Sequence, residues 1–178
     1  MTKNILETEN LSMRPFAEAD LAWLVSHRSN EDIARYLGGS ELQTPEFVQK
    51  RLRFYMDCFA ENGFSMCLTS LKETGEPAGV TGIQPLEKTG LVEVGYSFER
   101  EHWGRGFATE AAVAWLDFGF RSAGLQRIVA VAEPENEGSI RVMKKLGMEF
   151  EKNSLSYGLQ VVRYSVARED FYKLHPES

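Results

Sequence analysis

Two glycines one residue apart open directly into a run of strong helix formers at Trp103-Gly104-Arg105-Gly106-Phe107-Ala108-Thr109-Glu110-Ala111-Ala112. Glycine removes the Cβ that would keep a ligand from the backbone. The first turn of a helix leaves its N–H groups without intrahelical partners, and the helix dipole adds partial positive charge there. A loop of this kind is an anion cradle, and an anion cradle points to a ligand that carries phosphate.

The segments around the cradle decide what kind of sheet it belongs to. Leu11 to Phe16 reads as a first strand ending near Pro15, followed by helical segments at Asp20–Ser29 and Asp32–Leu37 that Gly38-Gly39 breaks. Thr44-Pro45-Glu46 is a helix start, and Asn62-Gly63 is a stop for that helix. Strands are expected at Phe64–Leu71, Ala78–Gln84 and Leu91–Phe98, joined by short turns that imply antiparallel pairing. The helix after the cradle repeats Phe107, Ala111, Ala112 and Trp115 at helical spacing and is expected to end at Gly124. A strand at Arg127–Ala132 follows, then a helix capped by Ser139 and stopped by Gly147. Two closing strands, near Glu149–Ser156 and Leu159–Arg168, turn at Tyr157-Gly158. Strands joined by both tight turns and helical crossovers give a mixed α/β (α+β) sheet with helices on both faces.

The length of 178 residues suits one domain spanning 1–178. No apolar run reaches the length of a membrane span, and the start of the chain lacks a secretory pattern, so no membrane association is expected. Cys58 and Cys67 have neither metal-type spacing nor a disulfide framework, which makes a reducing cytoplasm the simplest setting and a metal unexpected. A net charge of −6 argues against nucleic acid as a partner and would suit a cationic substrate such as an amine.

A dinucleotide fingerprint would place the glycines directly after a strand early in a parallel series, with an acid about twenty residues on. Here three antiparallel-looking strands come first, and Arg127 and Ile128 stand where the acid would be sought. A P-loop is excluded because no Gly-Lys-Ser/Thr follows. Three pieces in order give a specific resemblance: Glu93-Val94-Gly95-Tyr96, then His102 through Ala111, then Asn136-x-x-Ser139 with Lys145-Leu146-Gly147-Met148. Together they resemble the core motifs of the GNAT acyltransferases, most of all the RimJ/RimL-like branch, which acetylates protein N-terminal α-amines and other primary amines. Leu11-x-x-Arg14-Pro15-Phe16 and Tyr36-Leu37-Gly38-Gly39 also fit that branch. On the superfamily pattern Gln/Arg-x-x-Gly-x-Gly/Ala, Trp103 takes the Gln/Arg position, Gly106 the first small position and Ala108 the last.

The resemblance implies a GNAT fold, with a mostly antiparallel sheet of about seven strands splayed at the coenzyme site. It implies acetyl-CoA as co-substrate and an amine acceptor, either a small molecule or a peptide or protein, handled by a monomer or homodimer. Backbone N–H groups at Arg105, Gly106, Phe107, Ala108 and Thr109, beside Trp103 and Gly104, would hold the pyrophosphate. Val94, Gly95 and Tyr96 would offer strand edge groups to the pantetheine arm, with a bulge expected at Gly95. Asn136 would bond the arm across the gap. The alternative roles are plain ones: Gly95 as a strand glycine, Asn136 as a turn residue.

Amide formation needs a neutral amine, a donor for the oxyanion and a proton for the leaving thiolate. Alkyl ammonium groups titrate near ~10 and α-amines near ~8, so a nearby carboxylate that takes the proton raises the rate. Glu93 is the base candidate, the backbone N–H of Val94 or Gly95 the oxyanion donor, and Ser139 or Tyr157 the thiolate donor. An acyl-CoA-binding regulator without turnover and a nucleotide-dependent oxidoreductase are the competing classes.

Overall fold

The computed structural model describes residues 3–176. A short strand β1 (Leu6–Glu7) turns into β2 (Leu11–Arg14), and helices α1 (Leu21–Ser29), α2 (Glu31–Ala34) and α3 (Pro45–Asn62) follow. Three strands come next, β3 (Met66–Leu71), β4 (Pro77–Pro85) and β5 (Val92–Phe98), then α4 (Phe107–Arg121), β6 (Arg127–Ala132) and α5 (Glu137–Lys145). Strands β7 (Glu149–Ser156) and β8 (Leu159–Ala167) and the helix α6 (Arg168–Leu174) close the chain. The strands form one sheet in the order β1-β2-β3-β4-β5-β6-β8-β7. Every neighbouring pair is antiparallel except β5 and β6.

Local chemistry explains the long helix. The Thr44 hydroxyl accepts a hydrogen bond from the Phe47 N–H at 3.2 Å, Pro45 occupies the first turn, and Gly63 ends α3 with φ +74°. Val48, Leu52 and Tyr55 turn one side of α3 onto the sheet, where they bury Met66, Leu68 and Val80. The opposite sheet face packs against α4 through Phe107, Ala111 and Trp115. Strand alternation sorts the residues: Met66 and Leu68 face α3, while Cys67 faces α4. Both cysteines are buried free thiols.

Trp115 is fully buried, and its indole N–H donates to the Thr81 hydroxyl at 2.9 Å, which in turn bonds Thr69 at 2.7 Å. Trp115→Ala is expected to cost about 3–5 kcal/mol, because it opens a cavity in close-packed surroundings and strips Thr81 of its donor. Urea unfolding checks it.

Five expectations are corrected. The sheet has eight strands among the described residues rather than about seven, because the two-residue β1 is too short to carry a period. The last helix, α6, begins at Arg168, where only strand was expected. Gly95 is not a bulge: it sits in regular register opposite Gly82, and a Cβ there would lie 2.9 Å from the methyl at the flexible end of Met66, so the strand packs closely at this point. Ser139 does not cap α5. The cap is Asn136, whose side-chain oxygen accepts from the Ser139 N–H at 3.1 Å. The helix α4 also ends at Arg121, with Gly124 (φ +69°) in the turn beyond it.

Candidate active site

Strands β5 and β6 run parallel and meet at one registered position, Glu93 opposite Val129. Beyond it they diverge. The β5 edge from Val94 to Tyr96 therefore lacks a strand neighbour on one side and faces a cleft of about 920 Å³. The far wall of that cleft is the start of α4. Gly104 and Gly106 hold φ of +73° and +82°, conformations that a Cβ disfavours, and a Cβ at either would meet nothing within 4 Å. The requirement is thus in the backbone, which turns the first N–H groups of α4 to the cleft. No side chain caps them, and the first helical bond is Glu110 N–H to Gly106 O at 2.9 Å.

The acid in this first turn does not oppose an anion. The Glu110 carboxylate turns to the β1–β2 corner, where it accepts from the Thr8 hydroxyl at 2.5 Å and the Asn10 N–H at 2.8 Å. The Trp103 indole N–H is committed to Phe98 O at 2.7 Å, so its polar edge braces the loop and only its ring, 43% exposed, offers contact. Arg105 turns aside and lays its guanidinium 4.6 Å from the Phe107 ring centre.

Two groups of polar side chains meet this cleft from opposite faces of the sheet. On the α4 face, the Tyr96 hydroxyl lies 3.0 Å from Ser139 O and 3.1 Å from Ser139 Oγ. Burial pushes the Tyr96 phenol up to about 12, so it stays a proton donor at neutral pH. On the α3 face, Glu93 is 6% exposed. Its Oε1 accepts from Gln84 Nε2 at 2.9 Å and from the Tyr157 hydroxyl. Burial raises the Glu93 carboxyl above its ordinary value, although the Tyr157 and Gln84 bonds and the charge of Arg51 pull the other way. Burial and the Glu93 charge together hold the Tyr157 phenol well above its ordinary value.

Tyr157 reaches Glu93 from the two-residue turn between β7 and β8. Its φ is +54° and that of Gly158 is +75°, the backbone signature of a tight hairpin. The left-handed region is costly for a tyrosine, by about 1–2 kcal/mol. The ring is 41% exposed while the hydroxyl turns inward.

The cleft gathers Glu93, Val94, Gly95, Tyr96, Trp103, Gly104, Gly106, Phe107, Ala108, Thr109, Asn136, Ser139 and Tyr157, leaving Arg105 outside. It also contains residues that the motifs do not reveal. Gln84 faces Glu93 across the β4–β5 hairpin, a pairing that the strand register alone discloses. Arg28 and Arg51 enter from α1 and α3 beside the buried Tyr55. The signal for Arg51 was a charge at helical spacing from Val48 and Tyr55 on an otherwise apolar face. His27, also unforeseen, is buried and bridges Glu99 at 2.7 Å and Ser97 at 2.9 Å, pinning α1 to β5.

Comparison with known proteins agrees with this geometry. A family model described as an acetyltransferase (GNAT) domain matches residues 10–149. The chain is 34% identical to YkkB of Bacillus subtilis (strain 168) over 91% of its own length and 95% of that protein's. It is 31% identical to the N-acetyltransferase p20 of Bacillus licheniformis over 82% and 83% of the two chains. The crystal structure of an acetyltransferase from Agrobacterium tumefaciens str. C58 superposes with a TM-score of 0.81 at 26% identity, covering 94% of this chain and 96% of that one. With the family match over most of its length and a GNAT-type sheet open beside a glycine cradle, this chain belongs to the GNAT N-acetyltransferases.

Proposed function

We propose that this protein moves an acetyl group from acetyl-CoA to a primary amine by direct attack within a ternary complex, as a single domain of the RimJ/RimL-like branch working in the cytoplasm. One observation carries the reading: a buried carboxylate stands where β5 and β6 part, between an unpaired strand edge and an uncapped glycine-rich helix start. The cleft's parts suit acetyl-CoA. The N–H groups of α4 would take the pyrophosphate, and the β5 edge would take the pantetheine amides in the manner of an added strand. Asn136 has its oxygen committed to the α5 cap, which leaves its amide N–H₂ for the pantetheine arm.

Each proton then has a place. Glu93, ionised, takes the proton from the amine, directly or through water, while the amine nitrogen attacks the thioester carbon. The N–H of Val94 or Gly95 stabilises the oxygen that gains charge. As the C–S bond breaks, the thiolate takes a proton from the Ser139 hydroxyl, which the Tyr96 hydroxyl can replenish. Tyr157 donates to Glu93, which makes it a positioning residue for the base rather than the thiolate donor. The acceptor is a small-molecule or peptide amine entering from the α3 face.

Incubation with acetyl-CoA and a broad amine panel, read by free-thiol release and product mass, tests this. Thiol release matched by an acetylated amine is expected. Coenzyme binding without turnover of any amine would favour the regulator. Ser139→Ala should lower kcat by up to about a hundredfold, the low end of general acid catalysis because a thiolate leaves readily. Its thermal unfolding should hardly change, since Asn136 holds the α5 cap. A stability loss with normal kcat would remove Ser139 from the chemistry.

A further inference from the structure

Arg28 and Arg51 converge on one buried phenol in the acceptor half of the cleft. Arg28 Nη1 lies 3.3 Å from the Tyr55 hydroxyl and Arg51 Nη2 lies 3.5 Å from it. Arg28 is further fixed by Nε to the Gln43 side-chain oxygen at 2.9 Å, and Gln43, itself buried, is anchored on Leu37 O at 2.9 Å. Arg51 lies near the rings of Phe54, Tyr55 and Tyr157, and its Nε is buried without a hydrogen-bond partner. Among the described residues, no carboxylate lies within 4.0 Å of either guanidinium. A guanidinium cannot discharge by losing its proton. Two of them side by side, sheltered from water and lacking a counter-ion, therefore make a strong local demand for negative charge.

The surroundings reflect that demand. Burial alone would raise the Tyr55 phenol, yet the two guanidiniums leave it below its ordinary value. Other acids of the cleft do not meet the need: Asp32 pairs with Arg100 at 3.1 Å, Glu137 pairs with Arg141 at 3.4 Å, and Glu133 and Glu135 belong to the β6–α5 loop and pair with neither guanidinium. Glu93 acts on Arg51 from beyond ion-pair distance and is engaged by Gln84 and Tyr157.

We infer that the preferred acceptor is a primary amine bearing a carboxylate, with the carboxylate held between Arg28 and Arg51 and the amine presented to Glu93. A carboxylate fits better than a dianionic phosphate because the walls nearby are apolar, with Leu37, Leu42, Phe47 and Leu159 lining the same cleft. The protein's net negative charge suggests the opposite preference, but screening confines a surface average while a sheltered pair acts at contact. The inference rests on the acetyl-transfer reading for its amine, and on the arginine pair for its carboxylate.

Matched pairs test it: β-alanine against β-alaninamide, and Glu-Ala-Ala-amide against Gln-Ala-Ala-amide, with spermidine as the polycation. Rates are compared at equal concentrations of neutral amine. The acid of at least one pair is expected to exceed its amide by about tenfold to a hundredfold in kcat/KM. A winning first pair identifies a free amino acid, and a winning second pair identifies an acidic N-terminal residue. Arg51→Met and Arg28→Met should bring that ratio close to one, and Arg51→Lys should restore part of it. The ratio is internal to each variant, so a general loss of fold does not imitate the effect. Equal rates within both pairs, or a preference for spermidine, would overturn the inference while leaving acetyl transfer standing. Calorimetry of β-alanine with the coenzyme A-loaded protein separates the two claims. Binding that Arg51→Met abolishes sustains the carboxylate site even without turnover; no binding together with no turnover rejects both.

Discussion

Glu93→Gln is expected to lower kcat by about 10²–10⁴, the range that positioned general bases contribute, with little change in the Kd for acetyl-CoA. The substitution keeps the shape of the side chain and an oxygen that can accept from Tyr157, so loss of packing does not explain such a fall. The pH profile makes the assignment specific. In the wild type, kcat/KM should rise with pH as Glu93 ionises, and burial places that limb above the ordinary glutamate range. Tyr157→Phe removes a donor that favours the charged form, so it should push the limb higher still. Stability runs the other way. A carboxyl raised on folding holds its proton more tightly in the folded state. The fold is therefore unpenalised below the unfolded value, loses stability as pH rises above it, and carries the full penalty beyond the folded value. The melting temperature of Glu93→Gln relative to wild type should thus improve between acid and neutral pH. An unchanged pH–rate profile in the variant would remove Glu93 as the base.

Gly106→Val should cut acetyl-CoA affinity by about a hundredfold or more, measured by calorimetry, while circular dichroism stays near wild type. At φ +82° a β-branched residue is strained, so the loop must rearrange and the first N–H groups of α4 lose their common direction. Charge-assisted hydrogen bonds contribute about 1.5–3 kcal/mol each, so losing two suffices for that effect. The fold should survive because Gly106 is exposed, and Glu110 anchors the helix start to Thr8 and Asn10 on its other side. Wild-type affinity in this variant would contradict the cradle.

Legibility followed the range of the interactions. Thr44-Pro45 and Gly63 bound α3 through contacts within a few residues, and the same holds for the Gly104–Gly106 loop and the Gly147 stop, so one sequence sufficed for them. The α5 cap was misplaced by three residues because Asn136 and Ser139 are both good caps, and only the fold chooses between them. The β1 strand and the position of β8 between β6 and β7 depend on partners far along the chain. The site divides in the same way. The half proposed for the coenzyme lies in continuous motifs, which a single sequence displays. The half proposed for the acceptor adds Arg28, Arg51 and Gln84 to Tyr157 from separate elements, and no spacing connects them. Net charge is silent on this wall for a related reason: −6 is a sum over the surface, whereas Arg28 and Arg51 are two particular guanidiniums in the cleft.

The divergence of β5 from β6 also has a mechanical side. Hydrogen bonding crosses the middle of the sheet at a single registered position, so β1–β5 and β6–β8–β7 are nearly separate plates. The helix α4 bridges them, with the Gly119 backbone lying close to both Ile83 of one plate and Ile128 of the other. This seam is where the free protein is expected to breathe most easily, and amide exchange along the inner edges of β5 and β6 would register it. A ligand lying along the seam would knit the plates together, so occupancy and cooperative unfolding would become one quantity: the proposed co-substrate is, in thermodynamic terms, a missing strand of the sheet.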